Sequence, residues 1–159
     1  MTALKLFLFI VFASLVLPAC SDKPFNYPES LRQQINAMEL AFNDGETEVV
    51  LDAVADDFHS EYFPERRQLK LFMLRQRQKH SRLTIRSGPA VIKVQFSTEK
   101  LTDISATASF QSLLTGGGGW LPDSGQFYQF DTRWQWRDGA DEGEEWELVF
   151  ANWKEVFEP

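Results

Sequence analysis

The sequence predicts an α+β domain in which helices come first and antiparallel strands follow. Apolar residues recur at helical spacing up to about residue 79, and after His80 the period of the apolar pattern changes to two. No segment repeats, and no change of composition marks a second domain. A group of helices followed by a meander of long strands is an α+β arrangement, so we expect one domain of that class.

Three helices are predicted before the change of period. The first begins at a capping box formed by Ser30 and Gln33, and it ends at Gly45. The second covers residues 47–56, and the third covers residues 64–79. Each helix has one apolar face, which we expect to be buried. The residues on these faces are Leu31, Ile35, Met38 and Phe42, then Val50, Leu51 and Val54, then Leu69, Phe72, Met73 and Gln76.

Short strands are predicted around residues 83–85 and 91–96, and longer ones over 103–114, 125–137 and 145–157. The strand over 125–137 alternates clearly, which is typical of a strand with one buried face. Its outward side chains are Gln129, Asp131, Arg133 and Gln135. Its inward side chains, which we predict to line a pocket, are Tyr128, Phe130, Trp134 and Trp136.

The N-terminus has the pattern of a secretory signal that ends in a lipidation site. Lys5 precedes an apolar run over residues 6–17, and small Ala19 stands before Cys20, the only cysteine. Leu-Pro-Ala-Cys resembles a bacterial lipobox, in which the cysteine is acylated and the chain is cut before it. The competing interpretations are an ordinary cleaved signal, or an uncleaved anchor, with an incidental cysteine. We predict a signal peptide over 1–19, a lipidated cysteine and tether over 20–28, and a domain over 29–158.

The predicted location is the bacterial cell envelope, with the lipid on Cys20 attaching the domain to a membrane. Ser21 follows the cysteine, where an aspartate would signal retention in an inner membrane. Its absence favours the outer membrane, with the domain facing the periplasm. The formal net charge of −7 argues against nucleic acid as a partner, because such binding needs cations. With Cys20 lipidated, an intrachain disulfide and a cysteine-ligated metal are excluded.

Three segments, in this order, resemble the nuclear transport factor 2-like superfamily. They are 50–58 (VLDAVADDF), 67–70 (RQLK) and 146–153 (WELVFANW). Residues 115–117 (TGG) and 121–126 (LPDSGQ) are similar to its lipoprotein branch. The resemblance covers about residues 29–157. It implies a cone-like fold, in which three N-terminal helices pack in the concave face of a curved antiparallel sheet.

The same resemblance raises the question of catalysis. The superfamily includes isomerase-like and dehydratase-like enzymes, which use an inward carboxylate or histidine with a tyrosine or a second acid. His59 and Glu61 are the candidates for such a pair, and the competing interpretation is a polar loop. Asp56 and Asp57 are also metal-ligand types, but their spacing selects no metal. We therefore expect no metal, no cofactor and no catalysis by His59 or Glu61.

The charge pattern offers a possible contact surface. No acidic residue occurs from residue 66 to residue 95, where basic residues are frequent. The candidates for contact with an anionic envelope surface are Arg66, Lys70, Arg75, Arg77 and Lys79. The competing interpretation is a solvated face. The glycine run over 116–119 before Trp120 predicts either a lid over the cone or a loose hairpin connection.

We expect no catalysis by His59 or Glu61. Together with the lipobox and the cone-like fold, this predicts a lipid-anchored envelope protein with a non-catalytic domain. That domain would bind a ligand or a protein, and its expected partners are a small apolar ligand and a second copy joined through the sheet. The alternative is a small-molecule isomerase or dehydratase that uses a polar pair in the cone.

Overall fold

The computed structural model describes residues 25–80, 83–97, 103–116, 125–139 and 143–156. These residues form three helices and six strands. The helices are α1 (Tyr27–Asp44), α2 (Thr47–Asp52) and α3 (Arg66–Lys79). The strands are β1 (Val54–His59), β2 (Thr84–Ser87), β3 (Val91–Phe96), β4 (Ile104–Thr115), β5 (Gln126–Gly139) and β6 (Gly143–Glu155). None of the three helices is long and apolar enough to cross a membrane.

The sheet has the order β1-β6-β5-β4-β2, and β3 also pairs with β4. Strands β4, β5 and β6 form the predicted antiparallel meander. Its register shifts where Arg133 faces Phe150 and Trp134 faces Leu148, so Val149 is an extra residue in β6. Such a bulge bends a strand and increases its twist. The predicted fold class is confirmed, because the helices pack against a curved, open sheet of six strands.

One strand differs from the sequence prediction. The second helix was predicted to reach residue 56, but α2 ends at Asp52 and β1 follows at once. Strand β1 pairs with β6 in parallel, and the Leu148 N–H donates to the Ala53 carbonyl at 2.9 Å. Val54 is buried as predicted, but on a strand, where Phe58 is buried with it. Since the apolar spacing suits both structures, the pairing with β6 decides between them.

The N-cap of the first helix lies four residues earlier than predicted. Asn26, rather than Ser30, precedes the first turn, and its side chain accepts a hydrogen bond from the Glu29 N–H at 3.2 Å. Pro28 fits this turn because the missing N–H would have had no helical partner. The helix ends as predicted at Gly45, whose φ of 85° favours glycine.

The interior consists of two clusters. The larger lies between α1, β1 and the inner face of the sheet, and its largest members are Phe58, Trp134, Trp136 and Trp146. The smaller joins the three helices through Ala41, Val50, Leu51 and Met73. Helix α3 buries only Met73. It therefore covers the sheet loosely and leaves space beneath it.

Candidate functional site

A cavity of about 390 Å³ lies between α1, α3 and the inner face of the sheet. This volume is in the lower part of the range of about 300–1,000 Å³ that is usual for small-molecule sites. Most of its wall is apolar. The apolar side chains from the helices include Ile35, Met38, Phe42, Leu69, Phe72 and Met73, and those from the sheet include Phe110, Leu114, Phe130, Trp134, Leu148 and Trp153.

A row of small residues across the sheet makes this space. Ala108, Thr132 and Ala151 are paired side by side on β4, β5 and β6. The neighbouring rows carry larger side chains, such as the Phe130–Trp153 pair on one side. All three members of the small row are buried. Thr132 and Ala151 of this row lie on the cavity wall between bulkier side chains, and α3, which buries only Met73, does not fill the space.

The polar groups on the cavity wall are largely satisfied by the protein itself. Thr132 Oγ1 donates to the Ala108 carbonyl at 2.8 Å and accepts from Trp134 Nε1 at 2.8 Å. Glu39 Oε2 accepts from the Ser87 N–H at 2.8 Å, and the hydroxyls of Ser87 and Ser112 lie 2.9 Å apart. These bonds fix the wall side chains in place before any ligand arrives.

Tyr128 stands at the end of a short polar chain. Its hydroxyl donates to Gln126 Oε1 at 3.1 Å, and Gln126 Nε2 donates to Glu155 Oε1 at 3.1 Å. Burial raises the pKa of Tyr128 above its ordinary value of 10.0, and the negative charge of Glu155 adds to the rise. At neutral pH the phenol is therefore protonated, and its O–H is already engaged in the hydrogen bond to Gln126.

Three of the four predicted pocket residues line the cavity, and the fourth does not. Tyr128, Phe130 and Trp134 line the cavity. Trp136 lies further along the same face, beyond the cavity, where its ring centre is 5.1 Å from that of Trp146 and 5.2 Å from that of Tyr27. The N-terminus of α1 covers the sheet at this point, so Trp136 belongs to the packed core.

His59 and Glu61 lie away from the cavity. Both side chains are exposed, and neither lines the cavity wall. The His59 ring contacts Phe150, with 5.3 Å between ring centres. Phe150 lies on the outer face of the sheet, with Arg133 over its ring at 4.3 Å. The structure therefore does not bring His59 and Glu61 together around an enclosed space.

The five basic candidates on α3 have different surroundings. Arg66 pairs with Asp56 at 2.6 Å, and Lys70 pairs with Glu48 at 2.6 Å. Arg77 lies partly buried over the ring of Phe42, at 5.4 Å. The remaining two, which are exposed and make no ion pair with the part of the chain that the structure describes, are Arg75 and Lys79.

Sequence reasoning missed one charged residue of the cavity. Glu39 lies four residues after Ile35 and three before Phe42, so helical spacing places it on the apolar face of α1. That spacing is a usable signal, but the predicted face of α1 contains apolar residues alone. The bond to Ser87 depends on the contact between α1 and β2, which the sequence does not reveal.

Two sequence features lie outside the described residues, namely the lipobox with Cys20 and most of the glycine run with Trp120. No group of three or more histidine, cysteine, aspartate or glutamate side chains that could hold a metal ion occurs within the described ranges. Asp56 and Asp57, considered above as ligand types, lie near arginines. Arg66 is 2.6 Å from Asp56, and Arg137 is 3.9 Å from Asp57.

Comparison with known proteins identifies the fold. No protein-family model matches the chain, and no curated protein matches its sequence. Among solved structures, Bd1075 of Bdellovibrio bacteriovorus aligns over 82% of this chain with a TM-score of 0.64 and 8% identity. The chain spans only 41% of that protein's length.

Two other solved structures match along most of their own length. A nuclear transport factor 2-like protein of unknown function from Pseudomonas putida KT2440 aligns over 82% of this chain and 87% of its own, with 13% identity and a TM-score of 0.63. A protein of Novosphingobium aromaticivorans assigned as a scytalone dehydratase aligns over 81% and 83%, with 7% identity and a TM-score of 0.55. At such identities the likeness shows the fold alone: the chain has the nuclear transport factor 2-like fold.

Proposed function

We propose that this chain is a lipid-anchored protein of the bacterial cell envelope whose domain binds a small apolar ligand without changing it chemically. The observation that carries the proposal is the apolar cavity, whose volume suits a small molecule. The lipobox at Cys20 supports the anchor, and Ser21 supports an outer-membrane location facing the periplasm. Membership of the lipoprotein branch of the superfamily is part of the same proposal.

The state of the polar groups favours binding over catalysis. A general base must be within hydrogen-bond reach of the proton that it removes, and a general acid needs a proton to give. Tyr128 already donates its proton to Gln126, and no histidine lines the described wall. Glu39, whose Oε2 accepts the Ser87 N–H, is the one carboxylate among the described wall residues, so the described wall offers a base without a free acid as its partner. The site therefore lacks an evident pair of acid and base.

The test is mass spectrometry of the full chain extracted from its own membrane. We expect a small molecule to be retained under native conditions and released on unfolding. Leu69→Trp should abolish retention, because Leu69 lines the cavity and a larger side chain there fills it. Leu71→Trp is the matched control, since Leu71 is on the same helix but points outward with 45% exposure.

Two results would contradict the proposal. One is a wild-type protein that carries no small molecule and takes up none from a membrane extract. The other is a Leu69→Trp variant that retains the molecule as well as the Leu71→Trp variant does.

The alternative function is that of a small-molecule isomerase or dehydratase. Glu39 favours it, because a carboxylate among apolar side chains is a usual setting for a general base. The molecule released from the protein should be incubated with wild type and with Glu39→Gln. Loss of water from it, or a new isomer on chromatography, in the wild-type sample alone would establish catalysis.

We also propose that two copies of the chain associate through the outer face of the sheet. This face carries exposed polar side chains in the central strands, including Thr107, Gln111, Asp131 and Arg133. Sedimentation of the wild type and of Thr107→Arg would test it, because added cations beside Arg133 should dissociate a pair of such faces.

A further inference from the structure

Glu39 is the one carboxylate among the described residues of the cavity wall, and the described protein groups bond only one of its two oxygens. Its Oε2 accepts the Ser87 N–H at 2.8 Å, which holds the carboxylate against β2. No described donor bonds its Oε1, and Glu39 makes no ion pair with the described part of the chain. The free oxygen can therefore accept a hydrogen bond from a ligand.

The surroundings of the cavity do not compensate this charge. No lysine, arginine or histidine lines the described wall. Arg77 is near in sequence to the wall residue Gln76, but its guanidinium lies over Phe42 and beside Gly45. At the Tyr128 side, the carboxylate of Glu155 adds further negative charge, which contributes to the raised pKa of that phenol.

The charge of Glu39 should make the cavity bind some classes of ligand more tightly than others. An anionic ligand would lose its hydration and meet a like charge in apolar surroundings, where Coulomb repulsion is stronger than in water. An ammonium or hydroxyl group would instead donate to the free oxygen, and a charge-assisted bond of this kind is about twice as strong as a neutral one. A like charge placed against the wrong partner is a known source of specificity.

We infer that the cavity takes neutral or cationic amphiphiles that carry a hydrogen-bond donor, and that the Glu39 carboxylate excludes anionic ones such as fatty acids. This inference rests on the proposed function, because it names the class of ligand for the same cavity. Glu39 acts here as the residue that determines specificity.

The experiment compares three eight-carbon ligands with different head groups: octylamine, octanol and octanoate. Each is titrated by calorimetry into the full chain held in nanodiscs of zwitterionic lipid, and empty nanodiscs correct for partition into lipid. In the wild type we expect octylamine to bind at least about tenfold more tightly than octanoate, with octanol between them.

Two variants connect this preference to Glu39. In Glu39→Gln, the preference for octylamine over octanoate should fall to less than about threefold, because the amide has no charge. The amide oxygen can still accept the Ser87 N–H, and an unchanged thermal midpoint would show that the fold is intact. Glu29→Gln is the matched control, because it removes the same charge from an exposed position on α1, where Glu29 pairs with Arg32. It should leave the preference unchanged.

The outcomes separate the inference from the function on which it rests. Binding of octanoate as tight as that of octylamine in the wild type would overturn the inference and leave the ligand-binding function standing, whatever the variants do. An equal loss of preference in Glu29→Gln and Glu39→Gln would also overturn it, because net charge would then be the cause. If none of the three ligands binds, the proposed function fails and the inference fails with it.

Discussion

Trp136 shows how a single side chain connects the start of α1 to the sheet. It is 6% exposed, and rings from both sides contact it: Phe25 and Tyr27 from the chain start, and Trp146 from β6. Its neighbour Gln135 points outward and bonds Asp103 instead. Adjacent residues of one strand thus have opposite surroundings, as the alternation of β5 predicts.

This contrast predicts a large difference in stability. Trp136→Ala should lower the free energy of unfolding by about 3–5 kcal/mol, because it removes a buried aromatic ring and leaves a cavity. Gln135→Ala should change it by about 0.5 kcal/mol or less, as is usual for surface positions. Urea unfolding followed by circular dichroism measures both values. Equal small effects would contradict the assigned faces of β5.

Tyr128 predicts a loss of stability at alkaline pH. Burial and Glu155 raise its pKa in the folded state above 10.0, whereas in the unfolded chain the phenol ionises near its ordinary value. The contribution to stability is therefore complete below pH 10 and is lost as the pH rises through the folded-state pKa. Tyr128→Phe should show a smaller decrease in stability above pH 10 than the wild type in urea unfolding at stepped pH. An identical decrease in the two proteins would exclude this role.

At the scale of elements, α3 is the helix with the fewest buried residues, and only some of its basic side chains form ion pairs. Arg66 and Lys70 bind acidic side chains of neighbouring elements, which leaves Arg67, Arg75 and Lys79 as the exposed cations of the described helix without an ion pair. Two of these three cations lie in the C-terminal half of α3, so any contact of α3 with an anionic surface should depend mainly on that half. The competing interpretation of α3 as a solvated face predicts no such contact.

A vesicle assay distinguishes these interpretations. The unlipidated chain starting at Ser21 should bind anionic vesicles weakly at low salt, since each nearby cation contributes about 1 kcal/mol. Binding should disappear by about 0.15 M salt, where the Debye length is roughly 8 Å. Reversing the charges of Arg75 and Lys79 should abolish it, whereas Arg66→Gln with Lys70→Gln should weaken it less. Failure of the wild type to bind at low salt would show that the face is only solvated.

At the scale of the whole molecule, the C-terminal half of α3 lies far from Phe25, where the described part of the chain begins. Phe25 comes five positions after Cys20, so the chain between their Cα atoms can span at most about 18 Å. Arg77 instead contacts Phe42, near the far end of α1, which is 18 residues long. At 1.5 Å per residue, that end is roughly 22 Å from Tyr27 along the helix. Whether the cations of α3 reach the membrane that holds the lipid would therefore depend on the angle between α1 and that membrane.

The lipid itself is tested at the same scale. Cys20→Ser should release the domain from membranes or block processing, because the thiol that carries the acyl chain is missing. Fractionation and fatty-acid labelling measure this directly. A variant that is still cleaved, labelled and membrane-bound would disprove acylation at Cys20.

The sequence by itself determined the parts of this fold that depend on local spacing. Apolar stripes defined α1 and α3, alternation defined β5 and the face of its tryptophans, and Gly45 marked the end of α1. Local spacing is enough here, because a helix or strand buries whichever face its own side chains make apolar. Glu39 was also readable in this way, since it occupies a position on the α1 stripe.

Only the tertiary structure decided what depends on neighbours distant in sequence. Segment 54–59 is a strand because β6 offers it hydrogen-bond partners, which outweigh its helical spacing. The cavity exists because small residues of two paired strands, Thr132 and Ala151, lie side by side on its wall, under a helix that buries a single side chain. Register across strands and the distance between helix and sheet are set by packing of the whole chain, and no local pattern contains either of them.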